Sequence, residues 1–384
     1  MKSSVWYSFR LVLAVVFGLG TLLSQACASL GCEKFLIPAD TIIQKRTLDQ
    51  IQELRVGTYN VENFFLYQGR HEYTQDGSLV RVTGPSPKPD HKVLGVAQAL
   101  LDLDLDIVVL QEVESIEGSD ELISKYLGGQ YIPILVKGND HKRDINIGFL
   151  VKKDLPFTIE NHSFRAEIGI DPLRPERKDF RVFSRDLPVL VFRQAGAARD
   201  APPWFIVIGG HYKSKRPIKG QDGRVSDRES SVMRTVQFEK TAEIVERYRD
   251  EYGSDLPIIL AGDFNGDVNR DPEILPSIQK AGLANSFDLL PQPLSELDRM
   301  THIFFPGRGE TPQRHQMDAI FVSKELQGDV ADAGVYRYKK QSGKPVPLPE
   351  NKHQRDRNPS DHWPAWATIK MDAIRARINQ FLTQ

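Results

Sequence analysis

Acids, amides and imidazoles recur in this chain where short apolar runs stop: Asn60 with Glu62, Gln111 with Glu112, Arg143 with Asn146, His211 with Lys213, Asp263 with Asn265, Asp318, and Asp361 with His362. Each alone has an ordinary structural explanation. Gly262-Asp263-Phe264-Asn265 is good turn chemistry, because Gly admits positive φ and Asp or Asn bonds its own backbone. Ser360-Asp361-His362 reads as a capped turn, Glu112 as the first solvated residue past a buried strand, and His211 as an edge histidine with its hydrogen bonds met. Together they make up the inventory of metal-assisted phosphate-ester hydrolysis. A hard divalent cation such as Mg²⁺ takes a few carboxylate oxygens and keeps some waters; Glu112 and Asp361 offer them, with the Asn60 amide and Glu62 nearby. Water attack also needs a base, and donors for the charge that builds on phosphoryl oxygens. Asp263 suits the first role, and Asn265, His211 and His362 the second.

The elements that must position these residues are legible as eight β-rich runs at 54–61, 106–111, 145–151, 187–192, 204–209, 256–261, 317–322 and 365–369, and nine or so strands are expected in all. Val93, Val96, Ala97, Leu100 and Leu101 recur at helical spacing. Residues 228–252 predict a long helix, and 371–382 a terminal helix carrying Ile374, Ile378 and Leu382. No linker or repeat divides residues 53–370, so a single α/β domain is expected. In such folds sites assemble where strands end. The stretches 67–90, 165–186 and 337–360 lack periodicity and read as surface loops.

With 384 residues, 40% hydrophobic and 26% charged, the chain is neither disordered nor a polytopic membrane protein. Fifty Lys and Arg against 51 Asp and Glu exclude a global basic field, so any attraction to phosphate must be local. Cys27 and Cys32 are the only cysteines, which rules out a disulfide-stapled body or a cysteine zinc site within it. Lys2 and Arg10 precede an apolar run, Leu11 to Leu23, too short to span a bilayer, and Ala26-Cys27-Ala28 has the pattern of a signal-peptidase site. Residues 1–28 therefore read as a cleaved signal peptide and the product as secreted or periplasmic. A lead segment at 29–52 precedes the catalytic domain at 53–370, and a C-terminal helix follows at 371–384. Gly31-Cys32 is similar to the end of a lipoprotein box, which makes a lipid anchor at Cys32 the second reading. A monomer with no obligate protein partner is expected.

The ordered strings Thr-Tyr-Asn-Val-Glu-Asn at 58–63, Gln-Glu-Val at 111–113, Gly-Gly-His-Tyr-Lys-Ser at 209–214, Gly-Asp-Phe-Asn at 262–265, Met-Asp-Ala-Ile at 317–320 and Ser-Asp-His-Trp-Pro at 360–364 carry a resemblance. Over about residues 53–370 the chain resembles the endonuclease/exonuclease/phosphatase superfamily, in its pancreatic deoxyribonuclease-like, secreted bacterial nuclease branch. The resemblance implies a four-layer α/β sandwich, with two mixed β-sheets packed face to face and helices outside. It implies Glu112 as the principal metal ligand, helped by Asn60 and Asp361, with Mg²⁺ the metal and Mn²⁺ a substitute. Glu62 stands where the abasic-site enzymes have Asp, one methylene shorter, and so reads as an outer or water-mediated ligand. Asp263 would orient and activate water, Asn265 and His211 would contact the scissile phosphate, and His362 would stabilise the transition-state charge while Asp318 holds its imidazole. A carboxylate beside an imidazole favours the cation, which fits that role. Arg143 would clamp phosphate.

The shared site does not decide the ester. Lys213, Lys215, Arg216 and Lys219 follow His211 closely, and the 337–360 loop is also net basic. Basic loops near a phosphate site suit a nucleic-acid backbone, with DNA favoured. The alternative is a sphingomyelinase-like lipid hydrolase, which needs an apolar docking element; Ile303-Phe304-Phe305-Pro306 is the nearest. An inositol phosphatase sits poorly with export, and a non-catalytic binding module would have lost one of Glu112, Asp263, Asn265 or His362.

Overall fold

A computed structural model describes residues 25–27, 30–37, 44–66, 71–73, 79–81, 86–140, 143–197, 200–215, 218–219, 225–307, 311–340 and 342–382. Most of the segment read as a signal peptide, most of the 67–85 loop, and Arg216 lie outside the described residues. In chain order the strands of its two large sheets are β1 (Gln25–Cys27), β2 (Cys32–Ile37), β3 (Glu53–Phe64), β4 (Ile107–Val113), β5 (Tyr131–Leu135), β6 (Asn146–Lys152), β7 (Phe157–Ser163), β8 (Val189–Gln194), β9 (Phe205–His211), β10 (Ile258–Asp263), β11 (Leu283–Asn285), β12 (Asp318–Ser323), β13 (Val330–Val335) and β14 (Ala365–Lys370). The helices are α1 (Asp90–Leu103), α2 (Ile116–Tyr126), α3 (Arg228–Tyr252), α4 (Leu275–Lys280), α5 (Lys352–Arg355) and α6 (Asp372–Leu382).

One sheet runs β1-β2-β7-β8-β9-β10-β12-β11 and the other β13-β14-β3-β4-β6-β5. Both are mixed, with one parallel pair at the centre of each, β9 with β10 and β3 with β4. Period-two alternation explains why these strands must be covered on both faces. Along β10, Ile259 and Ala261 enter the core between the sheets while Ile258 and Leu260 face α3. Along β4, Ile107 and Val109 enter the same central core, while Val108 and Leu110 meet α1 residues such as Val96 and Leu100. Helix, sheet, sheet and helix are thus the four layers.

The strands beyond the predicted ones are mostly short or edge elements with weak apolar signals. β5 carries Pro133 and lies at a sheet edge, where a missing N–H is tolerated. The lead segment supplies β2, and α6 packs Ile374 and Ile378 into the central core. Cys32 is buried beside Leu30. Within the 337–360 stretch the chain forms the short α5.

Candidate active site

Register brings the motif residues together. His211 pairs with Asp263 across β9 and β10, and Asp263 pairs with Asp318 across β10 and β12, so three strand termini line up on one edge. In the facing sheet Asn60 pairs with Gln111, one residue before Glu112. Side chains of alternating character fix these ends. Between the polar residues, Tyr212 and Phe264 turn inward and stack on each other at 5.2 Å, with Tyr212 also stacking on Phe238 of α3 at 4.1 Å. Trp363 is likewise buried beside His362.

Asp263 is the hub. Its Oδ2 accepts from the Asn60 Nδ2 at 2.9 Å and the Asn265 Nδ2 at 3.2 Å, and its Oδ1 accepts the Asn265 N–H at 2.8 Å. His211 Nε2 stands 3.6 Å from the same Oδ2 and His362 Nε2 4.0 Å. Burial, with the charge of Asp318, raises the Asp263 carboxyl above its ordinary range although His362 pulls the other way. A carboxylate so placed is a better proton acceptor than a solvated one.

His362 Nδ1 lies 2.7 Å from Asp318 Oδ2. Asp318 is fixed in turn by its own N–H, which donates to Thr301 Oγ1 at 2.9 Å. Burial alone would lower the His362 pKa, but Asp318, Asp263 and Asp361 outweigh it and hold the imidazole cationic well above its usual range. His211 is the opposite case: burial and the charges of Arg185 and Arg143 hold it well below its usual range, so it is neutral.

Ser360 Oγ donates to the Asn60 carbonyl at 2.7 Å, tying the Asp361 loop to β3. Glu112 accepts the Asn63 N–H at 2.9 Å and faces Arg143 Nη2 at 3.3 Å. Non-glycine residues at positive φ gather here: Glu62 (48°), Asn63 (48°), Glu112 (64°) and Asn265 (51°). Each such residue costs of order 1–3 kcal/mol and persists where the surroundings over-determine it, commonly at sites.

Two positions meet surroundings other than those expected. Glu62 Oε2 is 3.0 Å from Lys92 Nζ and 3.9 Å from Lys88 Nζ, while burial and the nearby charge of Asp361 raise its carboxyl above the ordinary range. Lys215 pairs with Asp271 at 2.6 Å, whereas Lys213 lines the groove beside the site. In the basic 337–360 stretch, Lys339 pairs with Asp102 at 2.7 Å and Arg355 with Asp356 at 3.1 Å, which blunts its field.

The sequence reading did not single out Arg185, Lys88, Lys92 or His302. Arg185 is buried, donates from Nη1 to the Tyr212 carbonyl at 3.0 Å and has Nε 3.6 Å from Asp140 Oδ2; burial and the Arg143 charge lower its pKa. Its only signal was an Arg-Asp pair ahead of a buried strand. His302 Nε2 lies 3.7 Å from Asp361 Oδ2 and its ring 4.8 Å from that of His362. Burial opposes ionisation of Asp361, yet His302, His362 and Arg355 hold its carboxyl far below the ordinary range.

Next to Arg185, Asp186 adopts φ 72° and accepts from Ser163 Oγ at 2.7 Å and the Leu187 N–H at 2.7 Å. Burial pushes its carboxyl up to about 7. A folded-state pKa above the unfolded one means that its stabilising contribution is complete below the unfolded value of about 4 and is lost as pH rises through about 7. Asp186→Asn, which tolerates the same backbone, is therefore expected to raise the melting temperature at pH 8 by a few degrees relative to its effect at pH 4. Equal shifts at both pH values in thermal melts would refute this.

Hard oxygen donors suited to a divalent ion are the Glu112 and Asp361 carboxylates and the Asn60 Oδ1, which accepts the Glu62 N–H at 3.0 Å and has a second lone pair. Two acid and histidine clusters lie within 4.8 Å among the described residues, His302 with Asp361 and His362, and Asp263 with Asp318 and His362. The cationic His362 and its bond to Asp318 suit charge stabilisation better than ligation.

A family model described as the Endonuclease/Exonuclease/phosphatase family matches residues 57–362. Among solved structures, truncated TDP2 of Caenorhabditis elegans is similar with a TM-score of 0.51 at 16% identity, covering 83% of this chain and 98% of that one. A second structure of TDP2 from that organism, carrying selenomethionine, gives 0.51 at 16% identity over 85% of this chain and 77% of that one. A mannosyl-6-phosphatase of Bacteroides thetaiotaomicron gives 0.46 at 19% identity over 82% and 98%. No curated protein matches the sequence.

Proposed function

Because this chain belongs to the endonuclease/exonuclease/phosphatase family, a family of divalent-metal-dependent phosphate-ester hydrolases, we propose that it is an exported, Mg²⁺-dependent phosphodiesterase acting on nucleic acid, with DNA the favoured substrate. The observation that carries the polyanion reading is a groove of about 1060 Å³ beside the site, lined by Arg143, Arg185, Lys213, Arg174, Arg177 and Arg181 against Asp140, Asp171, Asp179 and Glu229; Arg174 pairs with Asp171 at 3.2 Å and Arg177 with Asp179 at 2.8 Å, so the net positive charge lies at Arg143, Arg185 and Lys213, next to the site. Cations along a groove track a phosphate backbone. Export rests on the apolar run and A-x-A pattern of residues 1–28.

In this reading Glu112, Asp361 and Asn60 hold the metal, which supplies Lewis-acid polarisation of a phosphoryl oxygen. Asp263 orients a water and takes its proton, and Asn60 and Asn265 hold the carboxylate in place. Neutral His211 and the guanidinium groups of Arg143 and Arg185 donate to the non-bridging oxygens, and the Asn265 amide joins them by exchanging its 3.0 Å bond to the Tyr212 carbonyl for one to the phosphate. Cationic His362, fixed by Asp318, faces the charge that develops as the phosphorus becomes five-coordinate.

A lipid ester is the second reading, favoured by Ile168, Ile170 and Leu173, exposed in the loop beside the groove, and by Phe304. The test is hydrolysis of plasmid DNA, RNA and sphingomyelin vesicles side by side, with Mg²⁺ and with chelator. Nicking of the plasmid that chelator abolishes is the expected result; cleavage of sphingomyelin alone would replace the nuclease reading with the lipid one.

A further inference from the structure

Glu62 follows the proposed ligand Asn60 by two residues, so a second cation would have an acid ready for it unless that acid is already used. It is used. Lys88, whose side chain is 2% exposed, donates from Nζ to the Glu62 carbonyl at 2.9 Å and stands 3.9 Å from Glu62 Oε2. Lys92, in the first turn of α1, reaches the same Oε2 at 3.0 Å. β3 is irregular between Asn60 and Phe64, and Glu62 and Asn63 are both left-handed there. We propose that Lys88 and Lys92 act as a built-in second cation that keeps Glu62 from ligating, so that the active site binds a single divalent ion.

This inference rests on the metal-dependent reading above and adds the stoichiometry to it. Glu112 differs from Glu62 in its partners. One of its oxygens is held by a backbone N–H, and the other faces Arg143, a half-buried side chain that can turn to a phosphate.

The test is the number of Mn²⁺ ions bound per purified full-length chain, counted by equilibrium dialysis. One ion is expected for the wild type, two for the Lys88→Met, Lys92→Met double variant, and one again when Glu62→Gln is added. Two ions on the wild type, or one on a folded double variant, would overturn the inference while leaving the metal-dependent reading intact. No ion at all would overturn that reading itself, and the inference with it. Lys92→Met alone, on the less buried lysine, serves if the double variant fails to fold, and it too is expected to gain a second ion.

Discussion

Asp263→Asn is expected to lower kcat for phosphodiester hydrolysis by about 10²–10⁴-fold, the range lost when a positioned proton acceptor is removed. KM should change little, because phosphate is gripped by His211, Asn265 and the arginines rather than by this carboxylate. Stability should move much less than activity. Burial raises the Asp263 pKa, so its ionised form costs the fold free energy that a neutral amide does not; against this, the new amide faces the Asn60 and Asn265 donors at 2.9 and 3.2 Å. The measurement is steady-state kinetics beside a thermal melt at one pH. Wild-type turnover on every phosphodiester tested would end the assignment.

The second large effect is expected at His362. His362→Gln keeps a donor but loses the cation, and removal of one preorganised donor facing transition-state charge typically costs about 10²–10³-fold in kcat. Asp318 touches no reacting atom in this scheme; it acts through the 2.7 Å bond to His362 Nδ1 and, more weakly, through its charge, which raises the Asp263 carboxyl. Asp318→Asn is therefore expected to cost much more activity in the wild-type background than once His362 is Gln, where only its effect on Asp263 remains. Such non-additivity marks residues that work as a unit. Independent, multiplying losses in the double-mutant cycle would mean that Asp318 has a separate task.

The proposed machinery lies almost wholly in residues that the sequence makes conspicuous, yet its electrostatics do not. Asp263 and Asn60 are 203 positions apart and 2.9 Å from each other. Both stand out as polar residues at the ends of apolar runs, and their contact follows only from two sheets packing face to face. Arg185 and Lys88 have no comparable signal. A basic residue in a loop normally faces water, and these two are buried because the loop after β7 and the start of α1 fold back over the strand ends. Lys215 shows the reverse, a cation in a basic run that the fold turns onto Asp271.

By itself the sequence determined the strand and helix periodicity, the covered faces of the central strands, and the set of acids, amides and imidazoles at their ends. Those are local properties, since alternation of apolar and polar side chains must match the backbone repeat wherever the chain lies. Tertiary structure alone decided which charges meet: the register that sets His211, Asp263 and Asp318 side by side, the neutral His211 beside the cationic His362, and the lysines on Glu62. A side chain's charge and donor state depend on burial and on partners within a few ångströms. Those partners come from elements far apart in the chain, so no local pattern can encode them.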